Sequence, residues 1–207
     1  NAAHMKAVPG RKSNVKDAEW IAALLEHGLL RPSFVPPPPI RQLRNLTRYR
    51  VALMGDRTRN ANRLEQLLED ASIKLSVVAS DIFGVSGRDM LNAIIAGERN
   101  PKVLAQMART RMRGKIRQLE EALDCSFFTG QHAFVLAMML ANIDHLTAQI
   151  KELSARIDVL CEPYAHQIAQ LDAVPGFGIL TAQDIIAEIG VYMTVFPAAG
   201  HLASWAR

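Results

Sequence analysis

The sequence predicts a mainly α protein, and three observations carry that prediction. Apolar residues recur at steps of three and four along most of the 207 residues, the period of a helix face. Gly28, Gly97 and Pro101 fall between such runs, where helices stop and start. One run, Leu136, Met139, Ile143, Leu146, Ile150, Leu153, Ile157 and Leu160, keeps the alternation strictly. A repeat of about 3.5 residues holds one apolar seam toward a partner helix.

The elements follow in order. "VKDAEWIAALLEHG" places Trp20, Ile21, Leu24 and Leu25 at helical spacing and stops at Gly28, a residue suited to a helix end. Pro36 to Pro39 form a stiff extended spacer. A long helix is expected from about Ile40 to Ala71. Short elements follow: Ser86 caps a helix through Ile95, Gly97 ends it, and Pro101 opens another. That next helix is expected over residues 101–124, with Met112, Ile116, Leu119 and Leu123 on one stripe. The strict repeat comes next, and Pro163 ends it. It is read as a helical hairpin or a homo-oligomer seam through the coiled coil, in preference to a helix packed inside its own domain. Last, "LDAVPGFGILTAQDIIAEIG" reads as helix, Pro-Gly-x-Gly turn, helix, the helix-hairpin-helix pattern. Gly176 and Gly178 allow a tight turn, and amides at the second helix's start can hold a phosphate. Ile179 and Leu180 stand where DNA-binding versions carry a basic residue, so a purely packing hairpin stays open.

Composition narrows the function classes. With 49% apolar residues there is ample material for a core. No uninterrupted apolar run approaches the roughly 18 residues of a membrane span, so no membrane partner is expected. "NAAHMKAVPGRK" lacks the apolar core of a secretory signal. Cys125 and Cys161 lie far apart and read as free thiols in a reducing compartment. Six scattered histidines give a zinc site little support.

Charge is the sharper signal. Residues 1–63 carry twelve Lys/Arg against four acids, while the whole chain nets only +4. A basic first third suggests a polyanion partner. On a wheel at about 100° per residue, Arg41, Arg44, Arg48, Arg59 and Arg63 fall within an arc of roughly 100°, with Leu46, Leu53, Leu64 and Leu67 opposite. Residues 31–63 hold eight arginines, no lysine and one acid. Guanidinium groups bind phosphate bidentately, whereas lysine suffices for solubility. The face therefore reads as a phosphate-backbone grip, set against the plainer reading of a solvated charged face. Tyr49 alone gives little for base stacking. A second basic run, Arg109, Arg111, Arg113, Lys115 and Arg117, winds around a helix at that spacing and reads as mostly solvated, with a second nucleic-acid contact as the lesser reading.

The order of these blocks resembles a known family. "HMKAVPGRKSNVKDAEWIAALLEHGLL", "RQLRNLTRYR", the seam, "LDAVPGFGILTAQDIIAEIG" and "FPAAGHLASWA" are together similar to insertion-sequence transposases with a DEDD, RuvC-like N-terminal domain. The resemblance spans essentially the whole chain. It implies DNA transposition by site-specific recombination guided by a structured bridge RNA, with DNA, that RNA and further protomers as partners. It implies a bacterial, cytoplasmic, nucleoid-associated setting. The implied division is the end of an RNase H-like domain (residues 1–35), then proline linker, basic helix and helical insertion (36–100). A coiled-coil hairpin (101–163) and the helix-hairpin-helix opening of a second domain (164–207) follow.

In that family four carboxylates hold Mg²⁺. The final Asp-x-x-Asp aligns with Asn14 and Asp17, so Asp17 is the matching catalytic and metal residue and Asn14 is a degenerate partner. An amide oxygen can ligate but carries no charge. Asp17 is equally explained as an acid in the first turn of a helix. The other carboxylates would precede Asn1, and the family's serine nucleophile would follow "HLASWA", of which Ser204 is only a part. The expectation is an internal fragment, inactive in strand cleavage alone and binding no Mg²⁺ by itself. The rival readings are a non-catalytic nucleic-acid-binding coiled-coil protein from a decayed element, and a scaffold with no nucleic-acid role.

Overall fold

A computed structural model describes residues 14–29 and 34–206, with the side chains of residues 14–17 outside the description. Among the described residues every regular element is a helix and none is a strand. The chain divides into two compact units, residues 1–44 with 163–207, and residues 45–162.

The longest helix, α2, covers Pro38–Asp70. It begins two residues before the expected start because proline is tolerated in a first turn, where an amide would have no helical partner. It ends where Ser72 takes a positive φ of 63° and the Ile73 amide donates back to Leu68 O at 2.8 Å. Its first turns lie in the first unit and the rest in the second.

In the second unit, α7 (Gly130–Cys161) runs antiparallel to α2. His132 meets Asp70 near one end, and Asn142 Nδ2 donates to Asn60 Oδ1 at 3.0 Å further along. Every residue of the strict repeat is buried or partly buried, and Leu136, Met139 and Ile143 pack in one cluster with Leu64 and Leu68 of α2. The start of α7 is fixed by Thr129, whose hydroxyl and the His132 ring exchange bonds with each other's backbone amides. Because Thr129 N–H donates to His132 Nδ1 at 3.0 Å, the ring proton sits on Nε2 and points to Asp70.

Between these helices lie α3 (Leu75–Val78), α4 (Val85–Ile95), α5 (Pro101–Ala105) and α6 (Ile116–Ala122). They fill the cluster with Leu75, Met90, Leu91, Ile94, Leu104 and Leu119. The single helix expected over 101–124 is three pieces, because a 3₁₀ segment, Thr110–Lys115, interrupts it. Thr110 takes a positive φ of 49°, which an α-helix cannot contain. Ser86 does not cap α4; Gly84 holds that position, and the buried Ser86 hydroxyl accepts the Arg109 amide at 2.9 Å. Gly87 has no room for a side chain, since a Cβ there would stand 2.3 Å from Ile82 O.

The first unit contains α1 (Asn14–Glu26), the first turns of α2, α8 (Ala165–Asp172), α9 (Ile179–Ile189) and α10 (Ala199–Trp205). Ile40, Leu43, Ala182, Ile186 and Ala187 are buried. Phe34, Phe196 and Trp205 form a ring triad with centroids 5.3–5.8 Å apart. Trp205 Nε1 donates to Phe34 O at 3.1 Å.

Gly87→Ala is expected to lower stability by about 1–3 kcal/mol, since backbone at Ile82 must move. Gly130→Ala, where no atom lies within 4 Å of the added carbon, is the control and should change stability by less than about 0.5 kcal/mol. Thermal unfolding of the two variants checks both.

Candidate nucleic-acid interface

Helix α2 has two faces because its sequence is two-sided. Leu43, Thr47, Arg50, Leu53, Leu64 and Leu68 are each no more than 5% exposed. They lie on the side opposite Arg41, Arg48, Arg59 and Arg63, all four of which are exposed. Those four fall within an arc of about 60° at about 100° per residue. From Arg41 to Arg63 the helix rises about 33 Å at about 1.5 Å per residue.

The arginines differ in how they are occupied. Arg41 and Arg63 have no side-chain ionic or hydrogen-bond partner among the described residues. Arg48 is exposed but engaged. Arg59 pairs with Asp56 one turn back at 2.5 Å, with 61% of its side chain exposed. At that exposure the pair is worth little, and a phosphate can displace the carboxylate.

Arg44 sits differently. Its Nε lies 3.1 Å from Glu188 Oε2 and donates to Ala187 O at 3.2 Å, while Nη2 donates to Glu188 O. Its guanidinium carbon is 6.0 Å from the Trp205 ring centroid. The side chain is 18% exposed. It therefore closes the C-terminus of α9, whose last carbonyls have no helical donors. Arg50 is 1% exposed and partnered, as a buried cation must be. Neither burial was legible in charge spacing, although Arg50 lies on the wheel with the leucines.

The turn between α8 and α9 carries the two predicted glycines. Gly176 has a positive φ of 88°, which explains the glycine. Gly178 precedes α9 in extended conformation, with no side-chain cap on that helix. Residues Val174 to Leu180 are all exposed. Asn14 and Asp17 fall in the first turns of α1, and their side chains lie outside the described residues.

Among the described residues no group of three His, Cys, Asp or Glu side chains could hold a metal ion. One carboxylate and one amide oxygen at Asp17 and Asn14 supply too little charge and too few donors for the octahedral shell of Mg²⁺. Asn14 and Asp17 by themselves do not fit that ion. Burial pushes the Cys125 thiol up, opposed by nearby Arg99, which leaves it protonated and unsuited to nucleophilic work.

Residues 1–73 match the family model of the IS110-type DEDD transposases, described as Transposase. The match supports an IS110-type transposase. It takes in α1 and all of α2 with its arginine face. No curated protein and no solved structure matches the chain. One helical stretch, Gly130–Asp172, is long and apolar enough by length and composition to cross a membrane; Leu136, Leu140 and Ile143 within it lie in the packed cluster of the second unit.

Arg44→Ala is expected to cost about 1–3 kcal/mol, since it leaves carbonyls at the end of α9 without donors. Arg44→Lys should recover only part, because an ammonium lacks the planar fork. Thermal unfolding of both variants, with near-ultraviolet circular dichroism reporting on Trp205, is the check.

Proposed function

We propose that this chain is the nucleic-acid-binding part of a DNA transposase, one that acts by site-specific recombination under the direction of a structured RNA. The observation that carries the reading is the exposed arginine face of α2, inside the segment that matches a transposase family. Arg41, Arg48, Arg59 and Arg63 grip the sugar–phosphate backbone, and Arg44 belongs to the scaffold. Phosphate contacts of this kind position a protein without reading sequence, so choice of site falls to another component, for which base pairing by a guide RNA is the family's implied solution.

The Pro-Gly-x-Gly turn, with Gly176 and Gly178, is a helix-hairpin-helix that adds a second backbone contact through the amides at the start of α9. Metal-dependent cleavage, with Asp17 as a ligand, requires carboxylates beyond Asn14 and Asp17. Assembly of several protomers is part of the reading. The strict apolar repeat is the seam in this reading; Leu136, Ile143, Leu146 and Ile157 are buried within the chain, while Met139, Ile150, Leu153 and Leu160 are only partly buried. The setting of such an activity is the bacterial cytoplasm, at the nucleoid.

The triple variant Arg41→Ala, Arg48→Ala and Arg63→Ala should bind duplex DNA or a structured RNA at least about tenfold more weakly at moderate salt. The slope of log K against log salt should flatten by about 0.9 for each duplex phosphate no longer neutralised. Fluorescence anisotropy at several salt concentrations measures both. An unchanged slope in a folded variant overturns the arginine-face reading and favours a scaffold without a nucleic-acid role.

A further inference from the structure

A second cationic feature lies wholly within the unit formed by residues 45–162. A cleft of about 520 Å³ is bounded by residues from 78 to 86 on one side and from 109 to 115 on the other. That volume is in the range of built ligand sites, about 300–1,000 Å³. Arg109, Arg111 and Lys115 line it, with Asp81 as its single acid.

Three members of the second basic run, Arg109, Arg111 and Lys115, line the cleft. Residues three apart eclipse within the 3₁₀ segment, so Met112 and Lys115 share a side, and Arg109 precedes the segment in extended backbone. The segment is pinned at both ends. The Arg109 amide is held by Ser86 Oγ at 2.9 Å, and Lys115 Nζ donates to Val78 O at 2.8 Å. Arg111 lies between the pins, exposed and with no ionic or hydrogen-bond partner among the described residues. The cations are thus presented to a concave surface and held there, which a merely solvated charge run does not require.

Charge selects the ligand. Three cations meet Asp81 in the cleft, and Arg109 also pairs with Asp89 at 2.5 Å. The balance is one uncompensated positive charge. Donors remain in excess: a guanidinium has five N–H groups and an ammonium three, and only one from Arg109 and one from Lys115 have a described acceptor. One surplus charge with many donors suits a singly charged phosphodiester better than a multiply charged free polyphosphate.

We propose that this cleft binds the phosphodiester backbone of a nucleic-acid strand through Arg111, Lys115 and Arg109. The site is separate from the α2 face and rests on the reading above only for the class of ligand. The test is therefore run in the full chain carrying Arg41→Ala, Arg48→Ala and Arg63→Ala, so that the α2 face does not decide it. Amide resonances of residues 84–87 and 110–115 are followed during titration with a short oligothymidylate, and separately with inorganic pyrophosphate. Saturable shifts with the oligonucleotide are expected. Adding Arg111→Ala and Lys115→Ala should weaken that binding at least about tenfold and flatten the salt slope by about 0.7 for each single-strand phosphate no longer neutralised. Far-ultraviolet circular dichroism confirms the fold, and Lys115→Arg should retain most of the affinity. Absence of shifts with either titrant, or shifts that survive Arg111→Ala with Lys115→Ala, overturns the proposal. Saturation by pyrophosphate at lower concentration than by the oligonucleotide assigns the cleft to free phosphates and overturns the nucleic-acid reading.

Discussion

A 33-residue helix in which seven arginines outnumber four acids has little reason to persist alone in water. Propensity and local pairs leave isolated helices marginal, and most helical stability in proteins comes from burying one apolar face. For α2 that burial is supplied by Leu43, Leu53, Leu64 and Leu68, and nearly everything else follows from it. With one side committed to packing, the opposite side is left facing solvent. Arginines spaced on that side become a fixed linear array, because the helix cannot roll to hide them. Guanidinium groups that repel one another along about 33 Å at about 1.5 Å per residue are tolerated because the buried side keeps the helix formed.

The same constraint sorts the cations. An arginine on the packed side cannot keep a hydrated charge, so Arg50 at 1% exposure has to be partnered. Arg44 lies at the edge of the array, near enough to the end of α9 to direct its donors to Ala187 and Glu188. Arg41 and Arg63 have no such neighbour among the described residues. Formal charge therefore overstates the electrostatic surface: two of the arginines between 41 and 63 act as structural donors.

Much of this was legible in the sequence where a local rule is strong. The extent of α2, the stop at Gly28 with its positive φ of 65°, and the turn at Gly176 follow from period, proline and glycine. The strict repeat was legible as a seam, although its partner was not, because hairpin, dimer and internal packing write the same pattern. Folding back on α2 is visible only in pairings such as Asn60 with Asn142. The break in residues 101–124 was hidden because no proline stands at it, and the Ser86 hydroxyl that holds the Arg109 amide beside it comes from a residue distant in sequence. The same holds for the cleft: Ser86 and Val78 hold Arg109 and Lys115 across separations that no window of residues can see. For Asn14 and Asp17 the spacing was readable, while their side chains lie outside the described residues.

The family match and the core do not coincide, and that mismatch bears on function. Residues 1–73 carry the arginine face and its leucines, yet the partners of Leu64 and Leu68 come from residues 75–143. The segment proposed to touch nucleic acid is thus packed against a segment outside the match. The support can be any packing of the right volume and polarity, since cores accept hydrophobic exchange as long as patterning is kept. On the proposed reading the arginine face has no such freedom, because phosphates recur at fixed intervals and a guanidinium displaced by one residue rotates by about 100° away from them. A recognisable first third joined to a helical support outside the match is what this division of physical demands would produce.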